Sequence, residues 1–194
     1  MAFTMRRSSV DPDLFEIWDE EKVVQEIPVL FSIRKYPSSF ESLEEIEKWL
    51  TEREWKLARF AAYRLIAMRN YPSVQLLRKL EQKRFSSSIC NRVIEELQNN
   101  GYLKDEEFVQ SSILRELKRG FGPRYIEMKL RAKGLSGEKI RYLITPEMQA
   151  ERIRQLIAKT PLSKSIANRL AKQKAIRNLQ RRGFDLDLIL KELN

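Results

Sequence analysis

At 194 residues, with 42% hydrophobic and 33% charged side chains, the chain suits one or two compact domains or a short array of small ones, and its 6 glycines and 7 prolines favour helices over a loop-rich or all-β fold. One cysteine excludes an intramolecular disulfide and a cysteine metal cluster, and the absence of histidine removes Ser–His and Cys–His catalysis together with the commonest metal ligand. The net charge of +10 is uneven: residues 1–48 hold 6 basic and 11 acidic side chains, residues 49–145 hold 20 and 11, and residues 146–194 hold 11 and 5. An acidic head thus precedes a basic body, which attracts nucleic acid, an anionic membrane or an acidic protein face.

No apolar run approaches the roughly 18–20 residues that span a bilayer, and the start, MAFTMRRSSVDPDLFEIWDEE, has no continuous apolar stretch of the signal-peptide kind. The expectation is a reduced, cytoplasmic setting without a membrane role. Residues 1–11 read as a disordered tail. The segment 14–33, rich in Phe, Ile, Trp and Val with Asp19-Glu20-Glu21 at a turn, reads as one hairpin or a few short strands. Residues 36–40, YPSSF, read as a linker.

From Glu41 the pattern becomes helical. Ser42 and Glu45 have capping-box spacing. Leu43, Ile46, Leu50, Leu57, Phe60, Ala61, Leu65 and Met68 then recur at helical intervals over residues 42–69, giving one long helix or two joined ones. Pro72 fits the first turn of the next helix. Residues 106–119 read as a helix capped by Asp105, and Pro123 opens the one that follows. Residues 148–159 and 162–173 continue the array.

Three segments align at a period of about 50 residues: KLEQKRFSSSICNRVIEEL (79–97), KLRAKGLSGEKIRYLI (129–144) and NLQRRGFDLDLILKEL (178–193). Leu80, Leu130 and Leu179 correspond, as do Phe85, Leu135 and Phe184. Each copy ends a helix with a left-handed C-cap position at Arg84, Gly134 or Gly183, and then packs the next apolar residue back on the helix. Ser86, Ser136 and Asp185 follow as N-caps. Cys90, Ile140 and Ile189 face the core, and Cys90 reads as an inert buried thiol. The fold expected is all-α: tandem three-helix modules in an elongated, curved array behind a small extended or β segment. The segments are an acidic head at 1–40, a first module with its leading helix at 41–97, a second module at 98–146 and a third at 147–194.

The basic side chains recur with the modules. Lys79 and Lys83 share a helix face, Lys129 and Lys133 repeat that pair, and Arg182 matches Lys83 and Lys133. Arg115, Lys118, Arg119 and Arg124 cluster at the junction before Pro123. With Arg84, Arg131, Arg177 and Arg181 they form the candidate set for a partner or nucleic acid. Taken singly each reads as an ordinary solvated charge; taken together they read as a cationic stripe along the array. Tyr102, Phe108, Phe121 and Tyr125 could stack on bases, but core packing is the plainer reading. RGFGPR (119–124) lacks the Lys-Ser/Thr of a phosphate-binding loop and reads as a helix–helix corner. Asp105, Glu106 and Glu107 open a helix, where carboxylates favour the dipole, so they make no acid–base pair. No catalytic residue, metal ligand or cofactor is expected.

The pieces GYLKDEEF (101–108), RGFGPRYI (119–126) and LRAKGLS (130–136), in that order, resemble the core of the RecX family of recombination modulators. The resemblance covers roughly residues 56–193 and weakens in the third module, which has no counterpart of GFGP and carries Pro161. It implies tandem three-helix modules and a non-enzymatic, monomeric regulator. It also implies binding in the groove of an active RecA–DNA filament. There the family hinders strand exchange, ATP turnover and the coprotease activity behind the SOS response. DNA, single- or double-stranded, would be met directly or through the filament. The alternatives are an independent nucleic-acid-binding protein and a helical scaffold for an acidic partner.

Overall fold

A computed structural model describes residues 3–12, 14–28, 37, 39–135, 143–159 and 169–193. Ser136, Ile140, Pro161, the end of the 14–33 segment, residues 36 and 38 of the linker and the first residues of the 162–173 helix fall outside the described residues. The chain is mostly helical behind a small three-stranded sheet. It forms two compact units, residues 1–103 and 104–194.

In the first unit, β1 (Phe3–Arg7), β2 (Leu14–Asp19) and β3 (Lys22–Pro28) make an antiparallel sheet in that order. The β2–β3 hairpin turns at Asp19–Lys22, as the sequence suggests, with Glu20 at φ 51°. Residues 3–7 are a strand, which corrects the reading of residues 1–11 as a disordered tail. Two observations explain it. Met5 is buried opposite Ile17, and Phe3 exchanges both backbone hydrogen bonds with Phe40 at 2.8 Å. The strand is anchored by contacts distant in sequence, which no local pattern carries.

The helix α1 (Leu43–Met68) is continuous over 26 residues. Ser42 Oγ accepts from the Glu45 amide at 3.1 Å, and the Glu45 carboxylate accepts from the Glu41 amide at 2.7 Å, so the expected capping box forms one residue out of register on its return arm. α1 serves two cores. Its first turns place Ile46, Trp49 and Leu50 against the sheet with Met5, Phe15, Ile17 and Phe40. Its second half places Ala58 and Ala62 against α2 (Ser73–Glu81) and α3 (Ser87–Asn99), around Leu76, Leu80, Cys90, Val93 and Leu97. The small-residue face is the buried one. Leu43, Phe60 and Met68, expected in the apolar stripe, are instead exposed, Phe60 by 62% and Met68 by 81%. Pro72 is the N-cap of α2 rather than a first-turn residue.

In the second unit, α4 (Asp105–Lys118) packs on α5 (Pro123–Arg131). Lys104, not Asp105, is the N-cap of α4; Asp105, Glu106 and Glu107 fill its first turn, where they meet the positive end of the dipole. Phe108, Val109, Ile113, Leu117, Ile126, Leu130, Leu135 and Ile144 form one core. A further core forms where α6 (Pro146–Ala158) and α7 (Arg169–Arg181) meet α8 (Leu186–Glu192), around Ile153, Leu179, Phe184 and Ile189.

The repeat is real at the backbone. Arg84, Gly134 and Gly183 have φ of 65°, 79° and 87°. The amides of Leu135 and Phe184 donate back to the carbonyls of Leu130 and Leu179 at 3.1 and 3.2 Å, closing the helix ends as the pattern requires. Ser86 and Asp185 occupy the N-cap positions of α3 and α8 as expected, but neither side chain caps its helix. Ser86 Oγ lies 3.4 Å from Ser88 Oγ while its amide donates to the buried Glu54 carboxylate, and the Asp185 carboxylate pairs with Arg124 at 3.0 Å.

Candidate functional site

Helix α4 buries the stripe Phe108, Val109, Ser112, Ile113, Glu116 and Leu117. Glu116 therefore enters an apolar face as a carboxylate with its side chain 5% exposed, a position that demands partners. Three cations supply them. Lys129 Nζ from α5 lies 2.9 Å from Oε1, Arg119 Nη1 lies 3.3 Å from both oxygens, and Arg115 Nε lies at 3.7 Å. Arg115 also donates to Ser112 Oγ at 3.3 Å. Burial by itself pushes the Glu116 carboxyl up; the hydrogen bond and charge of Lys129, with the charges of Arg119 and Arg115, outweigh it and hold the group below its usual range. One buried anion thus holds three cations on one face. Phe121 and Tyr125 stack beside them, 4.0 Å apart and 14° from parallel. The Arg119 guanidinium lies 5.8 Å from the Phe121 ring, and Lys129 Nζ lies 5.7 Å from the Tyr125 ring.

The corner RGFGPR forms a backbone seam with the turn between α7 and α8. The Gly122 amide donates to the Arg182 carbonyl at 2.7 Å and the Arg124 amide to the Gly183 carbonyl at 3.1 Å. The backbones are so close that a Cβ on Gly122 would stand 2.5 Å from the Gly183 carbonyl carbon and oxygen. Arg182 bridges the seam, donating to Gly120 O at 3.3 Å and to Asn178 Oδ1 at 2.9 Å. Arg152 donates to the Lys118 carbonyl across the same junction. Beside the seam, Arg119, Phe121, Asn178, Arg181 and Arg182 line a shallow depression. A second depression along α7 is lined by Lys174, Arg177, Gln180 and Arg181.

The thirteen candidates are thus divided. Arg115, Arg119 and Lys129 meet at Glu116, where Lys133 also lines the crevice; Lys133 Nζ lies 5.0 Å from the Phe108 ring. Arg177, Arg181 and Arg182 lie on α7 and its end, and Arg119 joins the two groups. Arg124 is drawn to Asp185 and Arg131 to Glu127 at 2.6 Å. Lys118 is exposed at the end of α4. Lys79, Lys83 and Arg84 are exposed on the first unit. Of the aromatics, Phe108 and Phe184 are core, as is the aliphatic Leu135 at the position matching Phe184, and Tyr102 is 57% exposed against the edge of Tyr63 at 5.4 Å.

Sequence reasoning passed over Glu116, Lys174 and Gln180. Glu116 had a signal, since it falls four and seven residues after Ser112 and Val109, in the buried phase of its helix. It also passed over a brace on the first unit, where the Arg59 and Arg92 guanidiniums lie 5.3 and 4.8 Å from the Trp55 ring and Arg59 pairs with Glu96 at 2.6 Å. Among the described residues no group of His, Cys, Asp and Glu could hold a metal ion, and no helix is long and apolar enough to cross a membrane.

No profile of a known protein family matches the chain. Individual relatives do. The regulatory protein RecX of Haemophilus ducreyi is 32% identical over 127 residues, covering 62% of this chain and 80% of that protein. That of Legionella pneumophila is 33% identical over 87 residues, so the chain spans 58% of its length. That of Trichlorobacter lovleyi is 29% identical over 136 residues and 88% of its length. Among solved structures, a crystal structure of regulatory protein RecX superposes with a TM-score of 0.66 at 18% identity over 97% of both chains. RecX from Lactobacillus salivarius superposes with a TM-score of 0.68 at 20% identity, over 73% of this chain and 96% of that one. At such identities the superpositions speak for a shared fold.

Proposed function

The chain belongs to the RecX family of regulatory proteins, and from that membership we propose that it regulates RecA by binding the RecA–DNA filament, restraining strand exchange, ATP turnover and coprotease activity without chemistry of its own. The observation that carries the reading is the convergence of Arg115, Arg119 and Lys129 on buried Glu116. A lone surface lysine or arginine loses side-chain entropy when it grips a partner; cations already held by an internal carboxylate lose less. Three positive charges against one negative leave a fixed surplus on that face, suited to an anionic groove. The partners in this reading are the RecA filament and its DNA, in the cytoplasm.

The test is RecA ATP hydrolysis on single-stranded DNA, with this protein titrated from substoichiometric to equimolar amounts. Hydrolysis should fall across that range. Unchanged turnover with the protein in excess would overturn the proposal. The rival reading, an independent nucleic-acid-binding protein, predicts the same DNA affinity with and without RecA and a steep salt dependence.

A further inference from the structure

We infer that the second half of α1 carries an open docking seam for an acidic amphipathic helix of a partner protein. Leu57, Phe60, Ala67 and Met68 are its apolar contacts, and Lys56 and Arg64 select the charge. The inference is independent of the regulator reading.

Ile46, Leu50, Arg53, Leu57, Phe60, Arg64 and Ala67 follow one another at alternating steps of four and three residues. That is the spacing of a coiled-coil seam, in which every position faces a neighbouring helix. In the first half of α1 the seam is filled, because Ile46 and Leu50 pack with Trp49 against Met5, Phe15 and Ile17 of the sheet. Beyond the sheet the same face runs on uncovered. Phe60 is 62% exposed, and Met68, at the margin of the seam, is 81% exposed. Arg64 and Ala67 are exposed and Leu57 is half-buried. The helices α2 and α3 take the other face of α1, through Ala58 and Ala62. An apolar row that continues in phase with a packed one marks an interaction site better than scattered surface side chains do.

Charge identifies the occupant. Residues 55–69 hold four cations, Lys56, Arg59, Arg64 and Arg69, and no carboxylate. Arg59 is drawn to Glu96, and the Arg69 guanidinium lies 4.2 Å from the Tyr71 ring. Lys56 and Arg64 stand one turn to either side of Phe60, are exposed, and have no ion pair among the described residues. The Arg64 guanidinium lies 5.8 Å from the Phe60 ring, so aromatic and charge form one contact surface. An acidic amphipathic helix supplies what is missing, apolar side chains for the seam and carboxylates at its borders.

Other occupants fit worse. A second copy paired antiparallel about Phe60 sets Lys56 of one chain against Arg64 of the other, and parallel pairing sets Arg64 against Arg64; both bring like charges together. Binding in a membrane surface needs a continuous apolar face, and Arg64 divides this one. Contacts to a nucleic-acid backbone are made by polar and cationic groups and leave Leu57 and Met68 unused.

The experiment uses the full chain and a fluorescein-labelled synthetic helix of three heptads, with Leu at the seam positions and Glu at the flanking ones. Binding is followed by anisotropy at physiological salt. Phe60→Ser/Met68→Ser, which truncates two exposed side chains, should keep the helical circular dichroism and weaken binding on the order of tenfold or more. Lys56→Glu/Arg64→Glu should invert the preference, so that an isomer with Lys in place of Glu binds on the order of tenfold tighter than the Glu helix. No binding of the Glu helix, or binding that both variants leave unchanged, would overturn the seam. So would phosphatidylglycerol–phosphatidylcholine vesicles bound through Phe60 and Met68 more tightly than the peptide, which would assign the face to a membrane. A dimer in sedimentation equilibrium that Phe60→Ser/Met68→Ser dissociates would assign it to a second copy and equally refute the proposal.

Discussion

Gly183→Ala places a methyl group in the seam between the RGFGPR corner and the turn that follows α7. Two effects add. The φ of 87° is a left-handed conformation that an alanine adopts at about 1 kcal/mol. The new Cβ also meets the Tyr125 amide nitrogen and stands 2.9 Å from the Tyr125 Cβ, so the α5 backbone must retreat. Retreat breaks the Gly122-to-Arg182 and Arg124-to-Gly183 hydrogen bonds, at about 1 kcal/mol each. The total is about 3 kcal/mol. Gly101→Ala is the control, because Gly101 has φ of 72° but nothing within 4 Å of its Cβ position; it carries the conformational term alone, about 1 kcal/mol. Urea unfolding followed by circular dichroism should separate the two by about 2 kcal/mol. Amide exchange should localise the difference: the Gly122 and Arg124 amides should lose on the order of tenfold or more in protection in the Gly183 variant. Equal cost for both substitutions, or unchanged protection at Gly122, would refute the argument that the backbones are locked together.

Glu116→Gln should destabilise the second unit by about 1–2 kcal/mol, a figure reduced because Arg115 and Arg119 are half exposed to solvent. The folded carboxyl titrates below its unfolded value of 4.5. The stabilisation is thus fully present above 4.5 and fades as pH falls through the lower folded value, and a pH series of urea midpoints for both proteins should converge only on the acid side. Gly134→Val should destabilise by about 1 kcal/mol or more, since φ is 79° there; an unchanged melting curve would contradict the assignment. Cys90 is fully buried, and burial, with Glu81 and Glu54 nearby, pushes its thiol up from 9.0 to about 11. It should resist a thiolate-directed reagent at pH 8 by a factor on the order of a hundred relative to its unfolded rate. Finally, Arg182→Glu should weaken the protein as well as any partner binding, because Arg182 buttresses the Gly120 carbonyl; a melting curve of the variant checks this.

The helices, the capping box at Ser42, the 50-residue repeat and the three left-handed positions at Arg84, Gly134 and Gly183 were all legible in the sequence. Each is set by forces acting over a few residues: hydrophobic period, cap chemistry and the cost of a Cβ at positive φ. So was the family resemblance, because ordered short motifs survive in a linear string. The candidate surface was legible only as a list of cations. Thirteen basic residues looked alike in the sequence, yet in the structure Arg124 and Arg131 are drawn to single carboxylates, Arg182 holds a seam, and Arg115, Arg119 and Lys129 gather at Glu116. What separates them is the partner of each, and those partners lie as far as 62 residues away, as Gly120 does from Arg182. The strand at Phe3–Arg7 and the exposure of Phe60 have the same origin. Local periodicity tells which residues share a face; only the folded chain decides whether that face meets a sheet, another helix, a buried carboxylate or water.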